Sequence, residues 1–452
     1  MTSARLSGLD ASFLAVETPT APMHVGWIAE FNSPDKHAPP SYGQLREHIA
    51  RRLGRAPRYR QKLAPVPLGL HSPEWIDDPG FDISSHVHDA PPLPLHDLVD
   101  QIMSIPLRRD RPLWELWIAR DPDSQSLTLV GKAHHCMVDG IAAVQLASLL
   151  LDPTPEPDQT GTDAWFAAPE PDRRGLLLKA IGDRTSEQLG LLRWPLKAAA
   201  APTRTALELA DNVPRAARTL RHVLCAAPPS QLNKPLSPLR RLAWTQRPLE
   251  DLRKVKRTYG TTINDVLLAA VAGGLRTYQA QIGQQPGELK AMIPVNVRDG
   301  RDELGNHISF VFADLPCAEP DPVRRLRFAH AAMTERKLDG DPQTTDLALK
   351  AAEYAPAIVQ HAISRAVASP RTFNLVVSNI PGPALQLYML GCPLQAAYPV
   401  VPLADEHALS IGMTTVNNTA CLGIYTDPQA LPDSQRLAHH INAEITDLLA
   451  TT

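Results

Sequence analysis

Apolar residues alternate with polar ones over Val25 to Phe31, Leu116 to Ala119 and Leu127 to Ala133, a period-two spacing that predicts strands. Between them Tyr42 to Leu53, Leu98 to Ile105 and Ile141 to Leu151 repeat at three and four residues and predict helices. The pattern breaks after Asp152, at Asp-Pro-Thr-Pro-Glu-Pro-Asp. Two amphipathic stretches follow, Leu176 to Leu196 and Thr203 to Leu224, and then the proline-rich run Ala227 to Leu239. Alternation resumes at Arg241 to Trp244, with strands also expected at Lys290 to Val297, Ile308 to Leu315, Phe373 to Val377, Ala408 to Thr415 and Ala420 to Tyr425. Helices are expected at Ile263 to Ala280 (capped by Thr261 or Thr262), Pro322 to Lys337, Asp346 to Ala368 and from Ser434 onward. The chain therefore reads as two α/β halves, 1–152 and 241–452, joined by a helical connector, 153–240. Clefts between such halves are common ligand sites.

Composition narrows the function classes. The 452 residues exceed what one core usually organises, and 44% apolar with 21% charged residues describes an ordinary globular protein. A net charge of -3 supplies no basic field for nucleic acid. No run approaches the ~18 apolar residues of a spanning helix. The N-terminus lacks an apolar signal core, so a cytoplasmic location is expected. The five cysteines are far apart and form no Cys-x-x-Cys pair, which argues against a disulfide framework or a zinc knuckle.

Candidate chemistry concentrates in His134-His135-Cys136-Met137-Val138-Asp139-Gly140, which follows the strand Leu127 to Ala133. Strand alternation would send His134 and His135 to opposite faces, so one imidazole can serve a given substrate. Adjacent histidines are also a poor metal pair, because zinc on a helix takes His residues four apart plus a third ligand; no metal is expected. Gly140 suits the turn out of the strand, and Asp139 can hold backbone, a histidine ring or an arginine. By contrast His439-His440 lies inside a helical run with no following Asp-Gly and reads as surface or packing.

The heptapeptide resembles the His-His-x-x-x-Asp-Gly signature of the CoA-dependent acyltransferase superfamily, and further blocks resemble its bacterial wax ester synthase/diacylglycerol acyltransferase branch. These are Leu6-Ser7-Gly8-Leu9-Asp10-Ala11-Ser12-Phe13-Leu14, Pro22-Met23-His24-Val25-Gly26, Pro112-Leu113-Trp114-Glu115, Asn264-Asp265-Val266-Leu267-Leu268, Pro294-Val295-Asn296-Val297-Arg298, Leu304-Gly305-Asn306 and Asn374 to Pro383. The resemblance implies two acyltransferase-like subdomains, each a mixed sheet flanked by helices, with a channel between them. It implies transfer of a fatty acyl group from acyl-CoA, as co-substrate with no other cofactor, to diacylglycerol or a long-chain alcohol. The alternatives are a relative using another hydroxyl acceptor, or a non-catalytic lipid-binding or droplet-coating protein.

In that family the second histidine, here His135, is the general base. An imidazole with a pKa near 6.5 can take the alcohol's proton as it attacks the thioester and return it to the departing CoA thiolate. Asp139 is expected to organise rather than to donate protons, either paired with Arg298 or capping backbone. Asn264, Asp265, Ser378 and Asn379 are candidates for the oxyanion site or the channel; the competing readings are a helix cap for Asn264 and turn chemistry for Ser378-Asn379. Pro112, Leu113 and Trp114 are expected to pack, and Cys136 is a weak candidate nucleophile. Leu176, Leu177, Ile181, Leu189 and Leu192 oppose Lys179, Asp183, Arg184 and Glu187, while Arg215, Arg218 and Arg221 form a cationic stripe. Either segment can lie on anionic lipid, placing the protein peripherally on the inner membrane or a lipid droplet, or can simply bridge the halves. Arg51, Arg52, Arg55, Arg58 and Arg60 can reach CoA phosphates or form an ordinary helix end. The sequence departs from the family in its C-terminal turns, Asp405-Glu406-His407 and Asn417-Asn418, where glycine is usual.

Overall fold

The computed structural model describes residues 4–33, 39–121, 126–137, 149–158, 165–192, 225–296, 308–338, 357–383 and 385–452. Asp139, Gly140, Arg298, Leu304 to Asn306 and the stripe Arg215, Arg218 and Arg221 lie outside these residues.

In chain order the first half contains β1 (Ala4–Arg5), α1 (Gly8–Val16), β2 (His24–Asn32), α2 (Tyr42–Arg52), β3 (Gln61–Ala64), β4 (Glu74–Asp77), β5 (Val87–Asp89), α3 (Leu95–Ser104), β6 (Trp114–Asp121) and β7 (Ser126–His134). The connector contributes α4 (Arg173–Leu192). The second half holds β8 (Arg241–Pro248), α5 (Leu249–Tyr259), α6 (Ile263–Gln281), β9 (Leu289–Asn296), β10 (Ile308–Leu315), α7 (Pro322–Leu338) and α8 (Ala357–Val367). It continues with β11 (Leu375–Asn379), β12 (Tyr388–Met389), β13 (Cys392–Val400), β14 (Leu409–Val416), β15 (Thr419–Thr426) and α9 (Ser434–Ala450).

Two six-stranded mixed sheets dominate, ordered β12-β13-β2-β7-β6-β5 and β10-β9-β11-β14-β15-β8. The first sheet is not built from the first half alone, because β12 and β13 come from residues 388–400 and β13 pairs antiparallel with β2. The two prolines of β13, Pro393 and Pro399, disguise it as loop in the sequence. Beyond that crossing, β13 lies against the second sheet: a Cβ on Gly423 would sit 2.1 Å from the Pro399 carbonyl oxygen. Only glycine permits that approach.

On the first sheet, Leu45, Ile49 and Leu53 of the α2 segment cover Phe31, Leu127 and Leu129 on one face. On the other, Leu98, Ile102 and Met103 of α3 meet Ile28 and Val130, and this layer runs without interruption into the helices α6 and α9 that cover the second sheet. The halves therefore share this one apolar layer, while the α2 face keeps a core of its own. Local signals set the helix starts: Ser41 and Gln44 form a capping box on α2, and Thr262 with Asp265 does so on α6. At the other end of α5, Gly260 adopts φ 66° and stops the helix. The expected Asn417-Asn418 turn has φ 49° and 60°, the left-handed pair that closes a two-residue hairpin between β14 and β15.

Helix α4 differs from the amphipathic reading. Leu176 and Ala180 are buried, but Ile181 is 48% exposed and Leu178 69%. Two of the polar residues on the opposing side make ion pairs while staying partly exposed: Lys179 donates to the fully buried Glu74 at 2.9 Å, and Asp183 accepts from Arg5 at 2.5 Å. A buried carboxylate on β4 demands cations, and that demand turns the helix.

Candidate active site

β7 is buried along its length from Leu127 and keeps its register to the last residue, where His134 faces His24 of β2. The chain then leaves the sheet through a 3-10 turn, His135–Met137. Strand alternation therefore ends one residue before the expectation needs it, and the two rings are separated by the turn instead. The backbone is pinned from both sides. His134 N–H donates to the Leu113 carbonyl at 2.9 Å, and His135 N–H donates to the Met23 carbonyl at 2.9 Å. Met23 has φ 49°, unusual for a non-glycine residue, in the conformation that presents its carbonyl to that N–H.

His134 is 1% exposed. Its Nδ1 accepts from the Cys136 N–H at 3.1 Å, which leaves the ring proton on Nε2. Nε2 lies 3.8 Å from the Glu17 carboxylate and 3.5 Å from Arg109, and Glu17 and Arg109 form an ion pair with each other. Burial first, then the guanidinium of Arg109, lowers its pKa to about 3.

His135 is set differently. Its ring stacks on Phe13 of α1 with centroids 3.6 Å apart and planes 15° apart. Its Nδ1 is enclosed and has no hydrogen-bond partner among the described residues, and the residue as a whole is half-buried. Burial lowers its pKa to about 4, well under the 6.5 expected from sequence, because no carboxylate among the described residues compensates the lost hydration. The imidazole is neutral throughout the physiological range, the form that accepts a proton. Cys136 belongs to the turn rather than to an opposite strand face, and burial pushes its thiol far up, away from thiolate chemistry.

The other sequence candidates divide by location. Pro112, Leu113 and Trp114 are buried beneath the motif, with Trp114 Nε1 donating to the Tyr59 carbonyl at 2.8 Å and its ring stacked on His86. Asn264 is not the cap of α6; Thr262 is, and Asn264 sits half-buried in the first turn. The Asp265 carboxylate is already committed, accepting from the Thr262 N–H and from His330 Nδ1, both at 2.8 Å. β9, β11 and β14 run parallel, so Asn296, Ser378 and Asn379 lie toward one end of the second sheet. Ser378 is buried. In the Pro-Gly-Pro turn just beyond, a Cβ on Gly382 would lie 1.6 Å from the Thr415 carbonyl oxygen, so the turn is glycine by contact with β14. Among the described residues, no hydrogen bond joins either histidine to Asn264, Asp265, Ser378 or Asn379. The arginine cluster is occupied: Arg52 pairs with Asp152 at 2.7 Å, Arg55 with Asp158 at 2.7 Å, and Arg58 lies over Trp75. His439 is exposed and His440 bonds Gln281 at 2.8 Å, remote in sequence and element from the turn.

Phe13, Glu17, Met23, His24 and Arg109 all touch or adjoin the histidine pair and were not singled out from the sequence. Phe13, Met23 and His24 stand in blocks quoted there, which was the available signal; Glu17 and Arg109 had none.

Comparison with known proteins agrees with this architecture. The family model of the wax ester synthase/diacylglycerol acyltransferase catalytic domain matches residues 6–267, and that of the WS/DGAT C-terminal domain matches residues 304–449. The chain is 32% identical to the Mycobacterium tuberculosis protein named "Probable diacyglycerol O-acyltransferase tgs2" over 97% of both chains. It is 30% identical to "Probable diacyglycerol O-acyltransferase tgs1" of the same species over 98% of this chain and 96% of the other. Among solved structures, the wax ester synthase/diacylglycerol acyltransferase from Marinobacter aquaeolei VT8 superposes with a TM-score of 0.69 at 24% identity, covering 99% of each chain. The starter condensation domain of rhizomide synthetase in complex with C8-CoA gives 0.58 at 15% identity, covering 100% of this chain and 95% of that one.

Proposed function

We propose that this chain, which belongs to the wax ester synthase/diacylglycerol acyltransferase family, moves a long-chain acyl group from acyl-CoA to the hydroxyl of diacylglycerol or of a long-chain alcohol. The observation that carries the reading is the neutral His135 imidazole, held flat on Phe13 by a backbone pinned to Met23. Nε2 takes the proton as the alcohol oxygen attacks the thioester carbonyl, and the tetrahedral oxyanion collapses with cleavage of the C–S bond. The proton then passes to the CoA thiolate, giving ester and free thiol with the enzyme unchanged. A protonated His135 is a strong acid in this setting, which favours that return. Ser378 and the first turn of α6 at Asn264 are the donors offered to the oxyanion, and Asp139 with Arg298 is the pair offered to hold the motif's far end. Acyl-CoA is co-substrate, with no further cofactor or metal in the scheme.

Such substrates reside at lipid surfaces. No helix among the described residues is long and apolar enough to cross a membrane, so contact is peripheral in this reading. Exposed Leu178 and Ile181 on α4, with exposed Leu68 and Leu70 in the neighbouring loop, are the groups offered to the surface of a membrane or droplet.

Purified protein incubated with palmitoyl-CoA and either diolein or hexadecanol tests the reading through release of free thiol and formation of ester. Ester formation abolished by His135→Ala is expected. Thiol release indifferent to that substitution overturns the general-base role, and absence of product with both acceptors overturns the acceptor class.

A further inference from the structure

Contacts to the histidine pair converge from one short segment, Phe13 to His24. Phe13 stacks on His135, Glu17 faces His134 Nε2, the Met23 carbonyl accepts from His135 N–H, and His24 sits opposite His134 in the sheet. Within it, Thr18 and Ala21 exchange two backbone hydrogen bonds of 3.1 and 3.0 Å, so residues 18–21 form one tight turn. A displacement of that turn carries Met23 with it. Met23 also holds a left-handed φ, which a non-glycine residue keeps only where its surroundings fix it.

What fixes the segment comes from the end of the connector and from the second half. Arg240, 4% exposed, lies just before β8, and its guanidinium donates to the Thr20 carbonyl at the apex of the turn. The same group donates to the Ser237 and Leu239 carbonyls at 2.7 and 2.6 Å and lies 3.9 Å from Asp427, whose carboxylate accepts from the Ser237 hydroxyl at 2.9 Å. Its backbone N–H donates to Ser104 Oγ of α3 at 2.8 Å. A second arginine, Arg365 of α8, donates to the Ala15 carbonyl at 3.3 Å. A planar guanidinium with several fixed acceptors is a rigid strut, whereas an ammonium is a point charge.

We propose that Glu17 and Arg240 are positioning residues for the histidine pair, with the segment Phe13 to His24 transmitting the docking of the second half to His134 and His135. Arg240 sets the turn and thereby the Met23 carbonyl; Glu17 sets the ring of His134, whose Nδ1 in turn holds the Cys136 N–H and so the 3-10 turn that carries His135. The inference rests on the His135 reading above. Misplacement of a catalytic group by about 1 Å costs about 100-fold in rate, so small adjustments of this segment are amplified.

The test compares Arg240→Lys, Glu17→Gln and their double variant with wild type in the thiol-release assay, with Arg241→Ala as control. Arg241 also joins the halves, pairing with Asp100 at 3.4 Å, but touches nothing in the segment. Expected are kcat losses of about tenfold or more for each single variant, KM for acyl-CoA within about twofold, and a double variant little worse than the poorer single one because both act through one element. Arg241→Ala keeps kcat within about twofold on the same argument. Unchanged kcat in folded Arg240→Lys and Glu17→Gln overturns the proposal, as does an equal loss in Arg241→Ala; if Arg240→Lys fails to fold, Glu17→Gln decides by the same threshold. Failure of the underlying reading is distinct, because then wild type itself forms no ester or is indifferent to His135→Ala.

Discussion

Lowering the pH of the assay from 8 to 5.5 separates a buried base from an ordinary one. The His135 pKa is brought to about 4 by burial, with only its own backbone acting the other way. For a base of pKa about 4 some 97% of the enzyme is competent at pH 5.5, whereas for a base near 6.5 only about 9% is, a tenfold contrast. The observable is kcat/KM for acyl-CoA at saturating acceptor, since its profile reports groups of the free enzyme. One confounding process has the same origin. His48, His135 and His407, each brought to about 4, and His134, brought to about 3, stay neutral when folded but take up protons when unfolded. Their folded pKa values are depressed, so the stability they contribute is complete above about pH 6.5 and is lost as pH falls toward the folded values. At pH 5.5 each costs about 1 to 2 kcal/mol, about 6 kcal/mol for the four together. Tryptophan fluorescence recorded in the same buffers identifies the pH at which folding rather than proton transfer limits the rate. A reversible loss of kcat/KM centred near pH 6.5, with native fluorescence retained, refutes the burial argument.

The stability consequence is itself measurable: unfolding free energies from urea titrations at pH 7.5 and 5.5 should differ by about 6 kcal/mol or more, and His48→Gln should lower the difference by about 1 to 2 kcal/mol. Replacing Arg52 with alanine strands the buried Asp152 carboxylate and is expected to cost about 3–5 kcal/mol, read as a lowered melting temperature. Gly423→Ala forces a methyl against the Pro399 carbonyl and should cost about 3 kcal/mol in the same measurement, with the damage at the junction of the two sheets. Leu178→Glu with Ile181→Glu should leave hydrolysis-free turnover of a short, water-dispersed alcohol unchanged while reducing flotation with phosphatidylglycerol vesicles about tenfold; unchanged flotation removes α4 from lipid contact.

Much of this was legible in the chain. Period-two and period-three-to-four spacing located β2, β6, β7, β10, β14, β15 and the long helices within a few residues, because each presents one face or both faces to an apolar layer and its pattern is local. The strand exit at His134-His135 and the left-handed turn at Asn417-Asn418 were likewise local chemistry. Elements whose stability is supplied by distant partners were not legible. β13 reads as loop until β2 offers it a ladder, α1 is too short and uniformly apolar to show a period, and α4 turns toward a buried Glu74 on a strand about a hundred positions earlier. The site follows the same division. The sequence by itself determined which residue types stand at the end of β7. Only the tertiary structure decided their chemistry: burial lowered the pKa of both imidazoles, and Phe13, Glu17 and Met23 of one segment and Arg109 of another were brought to them. The physical reason is that hydrogen-bond direction and hydration depend on what lies within a few ångströms in space, and spacing along the chain reports that only within a single helix or strand.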